Sequence, residues 1–212
     1  MKILVTDFDS TLTQRDFYDL VRERWPIPAD DDPWARYLAG RLTHFEALQA
    51  IFGRIRASEA ELLTLTDQMG LEPQLAESVQ ALKDAGWTVI VASAGCEWYI
   101  QHLLKKAGLD LQIYSNPGTF HPERGLEMTL PCESPFFDAA TGVNKARIVQ
   151  DALTRAEEVA FAGDGRPDLE PALLVPATRR FARGWLAGAL QDRAAGFYSF
   201  ESWAQVARQL VC

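Results

Sequence analysis

Two acids follow a short apolar run near the start of the chain: Ile3-Leu4-Val5 leads into Asp7-Phe8-Asp9, then Ser10-Thr11-Leu12-Thr13. Side chains alternate across an extended strand, so Asp7 and Asp9 are expected to leave its carboxyl end on the same side, where open α/β sheets bind ligands. Acids placed there suit phosphate chemistry, although the same spelling also serves as a helix cap or a turn. Three further places share that address. Ser93 ends the run Thr88-Val89-Ile90-Val91-Ala92 and precedes Ala94-Gly95; it either offers a hydroxyl and backbone N–H groups to an anion at a helix N-terminus or simply caps the helix. Lys145 is either a positive charge beside the acids or a solvated surface lysine. In Gly163-Asp164-Gly165-Arg166-Pro167-Asp168, Asp164 reads as a turn residue or a ligand, Asp168 as a cap or a supporting acid, and Arg166 as a substrate contact or a surface residue. All four places fall at the carboxyl ends of predicted strands or the start of the next helix, and that common position sets them apart.

The elements that must position these residues can be read from periodicity and punctuation. Residues from about 14 to 80 carry helical signals: Asp32 before Pro33 as an N-cap with proline at the first helical position, Gly40 as a stop, and two capping-box spellings, Thr43/Glu46 and Ser58/Glu61. Apolar residues at helical spacing follow each box: Phe45, Leu48, Ile51 and Phe52, then Leu62, Leu65 and Met69. Three or four short helices are expected. From Pro73 the pattern alternates between helix and strand, with strands at Thr88–Ala92, near Leu111–Tyr114, at Val159–Ala162 and near Arg180–Ala182, and a closing helix after Ser202. Residues Asn116–Pro131 read as a hairpin or flap. The expected fold class is α/β, a Rossmann-like doubly wound parallel sheet with a small helical insertion after the first strand.

Composition narrows the function. With 212 residues, 48% of them hydrophobic, and six tryptophans, the chain can bury one full core and a small second one. No window approaches the ~20 apolar residues of a membrane span, and the first residues lack the features of a signal peptide, so a cytoplasmic protein is expected, without a membrane partner. Cys96, Cys132 and Cys212 are too few and too far apart for a disulfide framework or a zinc motif, and Cys96 reads as packing. His44, His102 and His121 are isolated and read as core or surface residues. A net charge of −8 argues against nucleic acid as a partner.

Taken together, Asp7-x-Asp9-x-Thr11, Ser93, Lys145 and Gly163-Asp164-x-x-x-Asp168 resemble the motifs of the haloacid dehalogenase superfamily of phosphohydrolases. Phosphomonoester hydrolysis is among the slowest uncatalysed reactions, so charge must be handled at several points. Asp7 is suited to attack phosphorus and form an aspartyl phosphate, and Asp9 to protonate the leaving alcohol and later deprotonate water. Lys145 would stabilise the transition state, and Ser93, Ala94 and Gly95 would cradle the phosphoryl oxygens. The resemblance implies Mg²⁺, with the side chains of Asp7 and Asp164 and the backbone carbonyl of Asp9 as ligands and Asp168 orienting a water or the lysine. It also implies that residues 14–72 form a cap over a core made of 1–13 and 73–212, so that the cap selects a small phosphorylated metabolite. Arg15, Asp16, Arg22, Trp25, Trp34, Arg36 and Tyr37 are candidates to face the cleft; the alternative is an ordinary amphipathic stripe of Phe17, Leu20, Val21 and Arg24. The spelling of the first motif is similar to the phosphoserine phosphatase-like branch. Asp16-Phe17-Tyr18, Ile113–Asn116 and Phe181-Ala182-Arg183 resemble the methionine-salvage phosphatases that act on hydroxy-keto-methylthiopentenyl phosphate, while phosphoserine, phosphocholine and phosphoethanolamine stay open as substrates. A phosphotransferase on the same scaffold and a non-catalytic phosphometabolite-binding protein are the competing functions. No interface signal separates a monomer from a homodimer.

Overall fold

A computed structural model describes residues 1–211, and Cys212 lies outside the described residues. In chain order its elements are β1 (Lys2–Thr6), α1 (Phe17–Arg24), α2 (Pro33–Leu38), α3 (His44–Phe52), α4 (Glu59–Asp67), α5 (Leu75–Asp84), β2 (Trp87–Cys96), α6 (Glu97–Lys106), β3 (Gln112–Asn116), β4 (Gly118–His121), β5 (Gly125–Met128), β6 (Phe137–Asp138), β7 (Gly142–Val143), α7 (Lys145–Arg155), β8 (Glu158–Gly163), α8 (Leu169–Leu174), β9 (Arg180–Ala182), α9 (Gly184–Gln191), β10 (Tyr198–Ser199) and α10 (Trp203–Val211). The six-stranded sheet has the order β10-β9-β8-β1-β2-β3, and all its pairs are parallel. The strand order reverses at β1, so the crevice beside its carboxyl end, between β1 and β8, is the place where such a sheet takes a ligand.

The alternation of β1 divides the core in two. Leu4 and Phe8 pack with Val89, Val91, Ala160 and Ala162 under α1, α3, α5, α6 and α10. Ile3 and Val5 pack with Ile90, Ala92, Val159 and Phe161 under α7, α8 and α9. Strands buried on both faces read as continuous apolar runs, which is why the first and second strands were conspicuous in the sequence. No helix among the described residues is long and apolar enough to cross a membrane.

Both capping boxes form: Thr43 caps α3 with Glu46, and Ser58 caps α4 with Glu61. Asp32 caps α2, with Pro33 inside its first turn. Helices α1 to α4 leave the sheet through a narrow neck. Thr13 and Leu71 form an isolated antiparallel bridge, Gln14 N donates to the Gly70 carbonyl at 2.8 Å and Glu72 N donates to the Leu12 carbonyl at 2.9 Å. Arg183, just past β9, fastens this neck: its guanidinium donates to the carbonyls of Ser10 (2.6 Å), Thr11 (3.3 Å) and Thr13 (3.0 Å) and to the Glu72 carboxylate (3.0 Å). Glu72 is buried, and its other oxygen accepts from Trp203 N at 3.1 Å. The β4–β5 hairpin then supports the far side of α3, where Gln49 Nε2 donates to the Met128 carbonyl at 2.9 Å.

Replacing Arg183 by alanine leaves Glu72 as a buried charge without its cation. The expected cost is about 3 kcal/mol of unfolding free energy, the range for breaking a buried ion pair. Urea unfolding of Arg183→Ala measures it, and a loss below about 1 kcal/mol would show that the neck holds without this contact.

Candidate active site

Extended backbone ends at Thr6. Asp7 N still extends the ladder, donating to the Ala162 carbonyl at 2.9 Å, but the chain then turns so tightly that Thr11, Leu12 and Thr13 all donate their N–H groups to the Phe8 carbonyl. The strand alternation expected for Asp7 and Asp9 therefore does not extend to Asp9. Both acids line one cavity, yet they hold different partners. Asp7 Oδ1 accepts from Lys145 Nζ at 2.7 Å and from Phe8 N at 2.7 Å. Asp9 Oδ2 accepts from Tyr99 Oη at 2.9 Å and from Ser93 Oγ at 3.3 Å, while its Oδ1 accepts from Phe17 N at 3.4 Å.

Lys145 opens α7 directly below the Asp7 face of the sheet and is buried, which disposes of the surface-lysine alternative. Its ammonium lies 2.7 Å from Asp168 Oδ1 as well as from Asp7. Burial alone would lower the lysine pKa, but Asp168 and Asp7 outweigh it and hold the group protonated. Asp168 spends its second oxygen on the N–H groups of Asp164 (3.1 Å) and Gly165 (2.9 Å), so it shapes the β8 loop while it holds the lysine. Gly163 makes that approach feasible, because a Cβ there would stand 2.6 Å from Asp168 Cγ.

Ser93, Ala94 and Gly95 depart from expectation. β2 runs on through Cys96 and α6 begins only at Glu97, so the three residues precede the helix instead of opening it. The pairing with β3 shifts register between Ala92 and Cys96, which turns this segment toward the cavity. Ser93 Oγ accepts from Gly95 N at 2.9 Å and does not cap α6. A Cβ at Gly95 would overlap Tyr99 Oη and stand 2.8 Å from Asp9 Oδ2, so glycine here is what lets Tyr99 reach Asp9.

Carboxylate oxygens of Asp7, Asp164 and Asp168 lie within 4.8 Å of one another. Asp168 is committed to Lys145 and two N–H groups, whereas Asp164 is held by one bond from Thr11 Oγ1 at 3.1 Å. Hard oxygen donors in this number suit Mg²⁺. The electrostatics agree with that fit. Burial, then the Asp168 charge, pushes Asp164 up to about 7 and raises Asp7 well above the usual carboxylate range, a repulsion that a divalent cation among these acids relieves.

The cavity beyond these acids measures about 220 Å³. Of the residues expected to face it, Asp16, Trp34 and Tyr37 do so. Arg15 instead pairs with Glu23, Arg22 with Asp32 and the Tyr18 hydroxyl, Trp25 lines a separate groove, and Arg36 lies outside the cavity. Sequence reasoning missed Tyr18, His44, Leu48, Phe52, Tyr99 and Trp185, which complete the wall. The Trp34 ring meets Tyr18, Tyr37 and His44 at centroid distances of 4.4, 5.0 and 5.5 Å. Among the described residues His44 Nδ1 has no hydrogen-bond partner, and burial, followed by the Lys145 charge, lowers its pKa to about 4. Burial likewise pushes the Cys96 thiol up to about 12, in keeping with a packing role.

Two outcomes follow from this geometry. Gly95→Ala forces Tyr99 and Asp9 apart and is expected to lower turnover about 100-fold or more, the scale for a misplaced general acid, and to cost about 1–3 kcal/mol of stability by overpacking, so activity is compared at a temperature where the variant is folded. In the second, an unfolded imidazole takes up its proton near pH 6.5 but folded His44 only near 4. Between those values the unfolded state binds more protons, so stability declines as pH falls from about 6.5 to 4. His44→Gln is expected to flatten that part of the melting-temperature profile, and an unchanged slope would assign it to other groups.

Comparison with known proteins matches the sequence to a family. Residues 4–173 match the model of the haloacid dehalogenase-like hydrolases. A phosphoserine phosphatase of Archaeoglobus fulgidus is 28% identical over 173 residues, covering 79% of this chain and 48% of its own length, so the chain spans about half of that curated relative. Among solved structures, a HAD family hydrolase of Salmonella enterica serovar Typhi is similar with a TM-score of 0.74 at 21% identity, covering 99% of this chain and 70% of its own. A phosphoserine phosphohydrolase-like protein of Francisella tularensis gives 0.69 at 19% identity, with 98% and 99% covered. The matched segment holds Asp7, Asp9, Ser93, Lys145, Asp164 and Asp168, and the chain belongs to the haloacid dehalogenase-like hydrolase family.

Proposed function

We propose that the protein is a Mg²⁺-dependent phosphomonoester hydrolase of the cytoplasm that acts on a small phosphorylated metabolite through an aspartyl-phosphate intermediate. The observation that carries this reading is the division of labour between the two acids of the first motif. Asp7 is fixed against the Lys145 ammonium, whereas Asp9 is turned to Tyr99 and Ser93. Burial raises the Asp9 pKa, which favours the protonated form that a general acid needs.

In this mechanism the Asp7 carboxylate attacks phosphorus. The new P–O bond forms as the bond to the leaving alcohol breaks, and Asp9 gives that alcohol its proton. Asp9, now ionised, takes a proton from water, whose oxygen attacks phosphorus and releases Asp7 and inorganic phosphate. Lys145 holds Asp7 in place and offsets charge in both steps, and Ser93 orients Asp9 and the phosphoryl group. Asp7, Asp164 and the Asp9 carbonyl would hold Mg²⁺, with Asp168 positioning the lysine; bound there, the ion supplies charge neutralisation and alignment for phosphoryl transfer. The acid Asp9 distinguishes this reading from a binding-only protein, which has no need of a proton donor beside the nucleophile.

Residues 14–72 act as a cap in this scheme, over a core of 1–13 and 73–212. The narrow neck and the wall that α1, α2 and α3 give to the cavity support that division. Clefts for drug-sized ligands run to roughly 300–1,000 Å³, so a cavity of about 220 Å³ takes a short leaving group. The methionine-salvage, phosphoserine, phosphocholine and phosphoethanolamine classes form the panel to test.

Phosphate release from that panel, with and without Mg²⁺, tests the proposal. Turnover is expected to vanish on chelation, to fall about 10⁴-fold or more in Asp7→Asn, and to fall about 10²- to 10⁴-fold in Asp9→Asn. Hydrolysis that survives chelation or the loss of Asp7 would exclude this mechanism.

A further inference from the structure

Most cations near the cavity are committed. Lys145 is buried between two carboxylates, Arg15 and Arg22 pair with acids of the helical insertion, and Arg183 is spent on the neck. Arg166 differs: among the described residues it lines the cavity with no carboxylate at ion-pair distance. Its guanidinium lies over the Trp185 indole, 4.7 Å from the ring centroid. Trp185 lines the same cavity and remains 40% exposed, which is unusual for so large a ring with only a structural role.

We infer that Arg166, stacked on Trp185 at the cavity mouth, is a specificity-determining residue that receives a carboxylate on the leaving alcohol. The inference rests on the phosphatase reading and narrows its substrate to short phosphorylated hydroxy or amino acids. Stacking fixes the plane of a guanidinium and leaves its N–H edge free, and that edge matches a carboxylate in a two-pronged contact. The placement also favours one orientation. Asp9, Asp16 and Asp164 line the rest of the cavity and Lys145 is already held by two carboxylates, so Arg166 is the cation there with its fork left for a carboxylate. Arg166 follows Asp164 by two residues, and its charge bears on the hydroxyl of Tyr37 on α2, so the contact sits between the sheet side and the helical side of the cavity. The small cavity volume keeps that carboxylate a few bonds from the ester oxygen.

Matched esters differing by one carboxylate provide the test: O-phosphoserine against phosphoethanolamine, and phosphoglycolate against ethyl phosphate. The wild-type protein is expected to favour the carboxylated member of each pair in kcat/KM. Arg166 is exposed, so Arg166→Gln should fold normally. It is expected to shrink that preference about 10- to 100-fold, the scale of a charge-assisted hydrogen bond, chiefly through KM. Arg166→Lys should restore part of the preference, since an ammonium keeps the charge but not the fork. A wild-type preference for the uncarboxylated esters, or for the methylthiopentenyl ester, would overturn the inference, as would a preference that Arg166→Gln leaves intact. Hydrolysis of p-nitrophenyl phosphate separates the two levels. If it proceeds while carboxylates give no advantage, only the role of Arg166 is lost; if Mg²⁺-loaded protein cleaves no ester, the phosphatase reading fails and this inference with it.

Discussion

The ammonium of Lys145, buried between Asp7 and Asp168 at 2.7 Å from each, is the contact around which the site is assembled. Moving three charges out of water costs several kcal/mol per ion, and such a group is retained only where geometry returns that cost. Here the three residues come from the end of β1, the start of α7 and the turn after β8, so the ion group ties together the elements that meet at the crevice. It is also deliberately unbalanced. Two acids face one lysine, and Asp164 adds a third acid within 4.8 Å, so the arrangement has a surplus of negative charge that a divalent cation would offset. The same surplus explains why burial and the neighbouring carboxylates act together to raise Asp7 and Asp164.

Around that centre the loops are fixed by directed hydrogen bonds as well as by apolar packing. Asn116, at the end of β3, is fully buried and donates its amide to the Ala94 carbonyl at 2.8 Å and the Thr141 carbonyl at 3.0 Å. It therefore links the segment bearing Ser93 to the short hairpin that leads into Lys145. Gly142, at φ +81°, is needed opposite it, since any Cβ there would overlap the Asn116 carboxamide. Arg183 does the corresponding work on the other side, gathering the carbonyls of Ser10, Thr11 and Thr13. The positions of Asp7, Asp9, Ser93 and Lys145 are thus set by hydrogen bonds with defined directions, which a catalytic constellation requires.

Most of the candidate site was legible in the sequence because Asp7, Asp9, Ser93 and Asp164 follow a local pattern: an apolar strand, then an acid, a serine or a Gly-Asp turn. The helical insertion was legible through its capping boxes. What escaped notice had no such local mark. Tyr99, Phe52 and Leu48 sit in helical stripes that read as core, and Phe17, whose ring centroid lies 4.4 Å from that of Tyr99, is core. His44 and Trp185 become cavity residues only once α3 and α9 are laid over the sheet. α9 itself carries Gly184 and Gly188, which weaken any helical signal, and β6 and β7 are two residues each. Asp7 and Asp9 do share one cavity, but a turn in which three N–H groups converge on the Phe8 carbonyl brings Asp9 there, not the strand periodicity from which this was read.

The turn bears on mechanism, because it delivers Asp9 to Tyr99 and Ser93 and leaves Asp7 on the lysine. Burial favours the protonated form of Asp9, while the Tyr99 hydroxyl and Phe17 N–H favour the ionised one. A group with contacts that favour each form in this way suits the proposed role of yielding a proton in one half of a two-step displacement and taking one up in the other. Gly95 is part of the same device, since only a residue without a side chain lets Tyr99 approach closely enough to stabilise the ionised form. The differentiation of two neighbouring aspartates, from which an acid–base cycle would follow, is therefore a consequence of one tight turn and one missing Cβ.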